Sequence, residues 1–245
     1  GEDAPEQSAG SSLESGTEVE QYLRHYRSNR IDALAFLFMD LGPAALKQLE
    51  QQEVPYLSVS ETGIAGKDLV IDSGHMLDHG QLIRVRPHTR FVRFPRHRHN
   101  YVEVIYMCQG QTTHIIDGTQ VVLKAGELLF LNQNAVQEIL PAGLRDIAVN
   151  FIILPEFFDT AFQMLGEEEN SLRDFLVSCL RQNNQYGNYL HFQVADILPV
   201  QNLVENMVWT LLNNLSSKRS INQTTMGLLI LHLTHHTDRI RSGGQ

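Results

Sequence analysis

The sequence predicts an α+β chain in which a helical extension is followed by a small β-barrel and then by helices. Three observations predict it. Seven short β-rich runs crowd between Gln81 and Leu154, apolar residues switch to helical spacing after Pro155, and a helix-like period precedes the β region.

Taken in order, residues 1–16 are rich in Gly, Ser, Glu and Ala without periodicity and read as a disordered tail. Gly1 stands where an initiator Met would, as in a processed or excised product. Residues 17–69 read as a mostly helical extension. Val19, Leu23 and Tyr26 share a helix face, and Pro43 suits the first turn of a helix carrying Leu46 and Leu49. Ile31 to Phe38 fits a buried strand as well as a helix. A helix–strand–helix–strand unit ending in Val54 to Val59 would resemble a sugar-binding repressor core, but one such unit is too short to form a sheet by itself.

Residues 70–155 carry the barrel. The runs are Leu82 to Arg86, Tyr101 to Cys108, Thr112 to Ile116, Thr119 to Leu123, Glu127 to Leu131, Val136 to Leu140 and Ile147 to Leu154. Asp117-Gly118 between two of them is a strong hairpin signal, and Gln109-Gly110 and Ala125-Gly126 break their neighbours. Many short strands at close spacing argue for a sandwich or barrel.

Residues 156–241 turn helical. Leu172, Phe175, Leu176, Cys179 and Leu180 form one apolar stripe behind an N-cap at Asn170 or Ser171. A second, broader stripe spans Leu203 to Leu215, and a third Met226 to Leu233. Both later helices are apolar over more than a narrow stripe, so at least one is expected to pair two subunits. Ser242-Gly243-Gly244 reads as the start of a linker or a trimmed end rather than a folded terminus.

Bulk chemistry narrows the partners. With 28 acidic residues against 19 Lys and Arg, the net charge of −9 leaves no basic face for gripping duplex DNA, and no helix-turn-helix pattern is present. No run is long and apolar enough for a membrane helix, and the acidic N-terminus is not a secretory signal. Cys108 and Cys179 sit in separate apolar stretches and read as two buried free thiols, which suits a cytoplasmic protein. There is no Gly-rich phosphate loop, no G-x-S-x-G elbow and no C-x-x-C pair.

The specific stretch is His97-Arg98-His99-Asn100-Tyr101-Val102-Glu103, followed by Gly110, with the spacing H-x-H-x₃-E-x₆-G. Residues two apart on a strand share a face, so His97, His99, Tyr101 and Glu103 would all point into a barrel from one strand. This spacing resembles the first motif of the cupin superfamily, whose fold is a double-stranded β-helix barrel. In the second motif, starting at Gly126, the third metal-ligating histidine falls on Gln137, a much poorer ligand than imidazole.

The wider context resembles the N-terminal domain of AraC-type regulators over roughly residues 70–240. It is carried by Arg84-Val85-Arg86-Pro87-His88, Phe94-Pro95-Arg96-His97-Arg98-His99, Leu123 to Asn132 and Ala148-Val149-Asn150-Phe151. The resemblance implies a cupin-like barrel holding a small effector, often a sugar or related metabolite. It also implies dimerisation through the helices after the barrel, and DNA binding only through a separate C-terminal domain absent from this sequence.

The candidate effector-binding residues are Arg84, Arg86, His97, His99, Glu103 and Gln137, with the arginine forks suited to a carboxylate or phosphate. For each arginine, a solvated charge on the outer face of its strand is an equal alternative. No cofactor is expected. His97, His99 and Glu103 are the residues that would hold a divalent metal, with Gln137 or water as fourth ligand. The rival function is accordingly a metal-dependent cupin enzyme, an isomerase or dioxygenase, which would ordinarily carry His at position 137.

Overall fold

The computed structural model describes residues 69–243, apart from 92, 167–169, 184 and 214–216, together with four short strands nearer the N-terminus. The chain divides into two units, Gly1–Lys67 and Asp68–Gln245. In the first, Leu34–Leu37 pairs in parallel with Tyr56–Val59, so the ambiguous Ile31 to Phe38 segment is strand rather than helix in its centre. The expected helices around Val19 to Tyr26 and Leu46 to Leu49 lie outside the described residues, as does the tail except for Ser12–Leu13, which is strand rather than disordered and pairs in parallel with Asp40–Leu41.

The second unit has eleven described strands: β1 Leu69–Ile71, β2 Ile83–Pro87, β3 Phe94–His99, β4 Val102–Gln109, β5 Gln111–Ile116, β6 Thr119–Lys124, β7 Leu128–Leu131, β8 Gln137–Ile139, β9 Ile147–Ile153, β10 Tyr189–Phe192 and β11 Ile240–Gly243. They form a five-stranded sheet, β6-β5-β8-β3-β1, facing a six-stranded sheet, β11-β10-β7-β4-β9-β2. This is the cupin-like barrel. Four helices follow it: α1 Asp159–Leu165, α2 Ser171–Leu180, α3 Leu198–Leu212 and α4 Lys218–Thr234.

Local chemistry explains the punctuation. The β5–β6 hairpin turns on Asp117 and Gly118, both at positive φ (49° and 84°), the two-residue turn whose twist suits flanking strands. Gly110 turns β4 into β5 at φ 76°, and a Cβ there would lie 2.9 Å from the Arg145 carbonyl oxygen. Asn170 caps α2, its Oδ1 accepting from the Arg173 backbone N–H at 2.8 Å. Pro199 sits in the first turn of α3, where its missing N–H costs nothing.

The six-stranded sheet sorts its residues by parity. Val102, Val104, Tyr106, Phe130, Phe151, Ile153 and Phe192 face outward and pack under the helices, against Phe175, Leu176, Val204, Met207, Leu229 and Ile230. Ile105, Met107, Leu129 and Leu131 face inward, where they meet Ile116, Val121 and Leu123 from the other sheet.

Several expectations change. Tyr189–Phe192 is an unanticipated strand. It pairs with Ile240–Gly243, so Ser242-Gly243 begins no linker but closes the sheet's edge. There are four helices after the barrel rather than three, because Asp159–Leu165 is too short to show a period. Cys179 is buried as expected, but Cys108 is exposed: β7 pairs with β4 only as far as Tyr106, and Cys108 is skipped where the β4–β9 register shifts between Met107 and Gln109. Among the described residues no helix is long and apolar enough to cross a membrane.

Candidate functional site

The H-x-H-x₃-E stretch is not one strand. β3 ends at His99, the chain bends through Asn100 and Tyr101, and β4 starts at Val102 in the opposite sheet. The bend is pinned by Asn100, whose Oδ1 accepts from the Ser73 backbone N–H and whose own N–H donates to the Ile71 carbonyl. Alternation still holds within each strand: Arg96 and Arg98 point outward, while His97 and His99 are buried. Glu103 is buried inside from the facing sheet. The inward trio is therefore built across the barrel corner and not along one edge.

Every sequence-predicted residue reaches the barrel's inner side, but in two places. Gln137 lies directly opposite His97 in the β8–β3 ladder, the position where a cupin metal site has its third histidine. Arg84 and Arg86 pair across β2–β9 with Ile152 and Asn150, which in turn face Glu103 and Ile105 of β4, so both arginines share the sheet's inner face. They stand at its edge. Arg84 Nη1 donates to the Met76 carbonyl at 3.2 Å, and Arg86 also contacts Met76, so both reach toward the segment that precedes β2. The alternative of solvated outward charges does not hold.

The buried cluster is larger than the motif. Asn150 joins Glu103 to His88: its Nδ2 donates to Glu103 Oε1 at 2.8 Å, and its Oδ1 lies 2.7 Å from His88 Nδ1. His114 sits 5.3 Å from His88, ring to ring, and lies 3.0 Å by its Nδ1 from Gln137 Nε2 and 2.9 Å by its Nε2 from the Thr112 hydroxyl. His97, His99 and Tyr101 stack in succession at 4.8 and 4.7 Å. His88, His114, Thr112 and Asn150 escaped the motif. Alternation along Thr112–Ile116 would have turned Thr112 and His114 inward with Ile116, but nothing in the sequence marks which face is inside.

Burial controls the charge state. It lowers His97 to about 4, with help from neighbouring His99, and His99 to about 3. It also lowers His88 and His114, and it raises the Glu103 carboxyl. At neutral pH the imidazoles are uncharged hydrogen-bonding groups. Three buried polar atoms of the cluster have no hydrogen-bond partner: His88 Nε2, Glu103 Oε2 and Gln137 Oε1. Native interiors rarely leave such atoms unsatisfied.

The proposed metal trio does not assemble. His99 Nε2 is 3.9 Å from Glu103 Oε2, and the Nδ1 of His97 is turned to the Pro95 carbonyl at 2.7 Å. Among the described residues no group of three His, Cys, Asp or Glu side chains is placed to hold a metal ion. The cluster is closed to bulk solvent, yet a cavity of about 260 Å³ opens beside it. Val70, Arg98, Asn100, Gln133 and Asn134 line this cavity together with His99, which belongs to both.

Residues 79–159 match the family model described as the AraC-like ligand binding domain. No curated protein matches the chain. Among solved structures, an apo ToxT variant from Vibrio cholerae aligns at 10% identity and a TM-score of 0.46, over 66% of this chain and 59% of that one. ToxT from Vibrio cholerae bound to an unsaturated fatty acid aligns at 10% identity and 0.42, over 64% and 54%. The AraC-like transcriptional activator CuxR aligns at 15% identity and 0.36, over 59% and 45%. The chain thus spans less than two thirds of each of these proteins. The family match covers β2 to β9 and contains all six predicted effector residues.

Proposed function

We propose that this chain is the effector-sensing and dimerising part of an AraC-type transcription regulator. A small polar metabolite, a sugar or a related compound, enters the barrel of residues 70–155. The single observation that carries this reading is the sealed polar cluster with three unsatisfied atoms, inside a domain of a ligand-binding family. The cavity beside His99 is the way in.

Sensing needs a difference in binding energy between two arrangements of the protein, not contact alone. The element best placed to report occupancy is β4, which carries Glu103 on its inner face and Val102 and Val104 on the face packed under the helices. Movement of Glu103 toward a ligand shifts that packing. The helices of residues 156–241 then pass the change to a second subunit and to a separate helix-turn-helix domain, which alone binds DNA. Dimerisation is supported by large apolar side chains left at the surface of α3 and α4: Leu198, Trp209, Leu212, Ile221 and Leu228.

A thermal-shift screen of sugars, sugar phosphates and carboxylates tests the sensing role. A ligand at 100 times its dissociation constant stabilises the fold by about 2.7 kcal/mol. Sedimentation tests the pairing: a dimer at micromolar concentration is expected, and Trp209→Asp with Leu212→Asp is expected to yield monomers. A monomeric parent chain would remove the dimerisation half of the proposal.

A further inference from the structure

The orientations of the Asn150 and Gln137 amides set the hydrogen-bond directions inside the cluster. The Asn150 amide nitrogen donates to Glu103, so its oxygen faces His88. That oxygen only accepts, so His88 Nδ1 must carry the proton. In a neutral imidazole Nε2 is then a bare acceptor, and it is one of the unsatisfied atoms.

The second relay resolves in the same way. The Gln137 amide nitrogen donates to His114 Nδ1, so His114 is protonated on Nε2 and donates to Thr112. The Thr112 hydroxyl passes its own proton toward the Met107 sulfur at 3.6 Å. Gln137 Oε1 is left behind as an acceptor without a partner. His97 follows suit, since giving its Nδ1 proton to the Pro95 carbonyl leaves Nε2 as an acceptor. Both relays thus end in bare acceptors within one buried cluster, the His88 and His114 rings being 5.3 Å apart, and Glu103 Oε2 is a third buried oxygen without a partner. The nearby donors with fixed positive charge, Arg84 and Arg86, stand at the sheet edge and reach toward Met76.

Building on the reading of the barrel as an effector site, we propose that this cluster selects for a ligand group that donates hydrogen bonds and bears no negative charge. His88, Gln137 and Glu103 are its specificity-determining residues. Hydroxyls of a polyol or sugar and the N–H groups of an amine both supply donors to these buried acceptors. A carboxylate or phosphate offers these acceptors no donor and is confined to the arginine edge.

Matched sets of three- to six-carbon compounds test this on the full chain, each set holding a polyol or sugar, the corresponding amine and the corresponding acid (for glucose: glucosamine and gluconate). Titration calorimetry is expected to show the acid at least tenfold weaker than the better of its two counterparts. A preference for the polyol over the amine, or the reverse, identifies which donor the cluster reads. His88→Phe, which keeps a ring but removes the acceptor, is expected to weaken the preferred compound at least tenfold. An acid that binds tightest overturns the donor rule and leaves the sensing role standing. Failure of every set to bind overturns the sensing role and this inference with it. Independently of any ligand, ¹⁵N spectra of the histidines are expected to show His88 protonated on Nδ1 and His114 on Nε2; the opposite tautomer at His88 overturns the assignment.

Discussion

The two faces of the six-stranded sheet are made by the same strands and differ in chemistry: the outer packs under the helices, while the inner combines an apolar patch at Ile105, Met107, Leu129 and Leu131 with a polar cluster. On β4, Val102, Val104 and Tyr106 lie in the apolar layer beneath the helices, while Glu103 alternates with them and faces the polar cluster. On β9, Phe151 and Ile153 join the helices, while Asn150 bridges Glu103 and His88. The outer face is apolar and well packed, and it supplies stability. The inner face keeps buried carboxyl, imidazole and amide groups only partly satisfied, an arrangement that costs stability and makes sense only if something else completes it.

The largest expected effect lies on the outer face. Phe130→Ala removes a fully buried ring that packs edge-on against Phe192 at 5.5 Å. Urea unfolding is expected to show a loss of about 3–5 kcal/mol. A loss under 1 kcal/mol would mean that this face is not the stabilising one.

Acid sharpens the contrast from the other side. The histidines of the inner face have folded-state pKa values below 6.5, with His97 near 4 and His99 near 3. Between pH 6.5 and 4 the unfolded chain takes up protons that the fold refuses, so stability falls as pH falls through that window. Glu103 acts in the opposite sense, since its raised pKa lets the fold take up a proton before the unfolded chain does. Four lowered histidines outweigh one raised carboxyl, and calorimetry is expected to show Tm dropping between pH 6.5 and 4 with roughly two or more protons taken up on unfolding. A Tm that stays level over this range would place the imidazoles in water.

A smaller effect is expected at the helices that cover the outer face. Asn170→Ala removes the cap of α2 and is expected to cost about 1 kcal/mol in urea unfolding. The smallest change in stability is expected at the centre of the inner face. Glu103→Gln keeps the shape, removes a buried carboxyl with one unpartnered oxygen, and is expected to change unfolding free energy by less than about 1 kcal/mol in either direction. The same variant is expected to lose most of its thermal response to the best ligand. Full ligand response in Glu103→Gln would take this residue out of the site.

Much of the barrel was legible. Asp117-Gly118 specified a hairpin because only a few residues tolerate the positive φ of that turn, and strand alternation marked β4, β5 and β9. Four of the eleven strands, β1, β3, β10 and β11, were not among the expected runs, and the last two were hidden for physical reasons. Tyr189–Phe192 is covered on both faces and shows no alternation, and Ile240–Gly243 is an edge strand held by its neighbour's backbone rather than by its own side chains. The motif residues His97, His99 and Glu103 were readable from spacing, but their placement on two sheets was not. That depends on a bend at Asn100 stabilised by Ser73, 27 residues away.

By itself, then, the sequence determined the local chemistry: which runs are strands or helices, which residues alternate, and that Gln137 replaces a metal-binding imidazole. Tertiary structure alone decided which alternating set faces inward, which histidine nitrogen carries a proton, and which polar atoms go without partners. Those are properties of groups brought together from β2, β4, β5, β8 and β9, and a hydrogen bond between distant segments leaves no periodic trace along the chain.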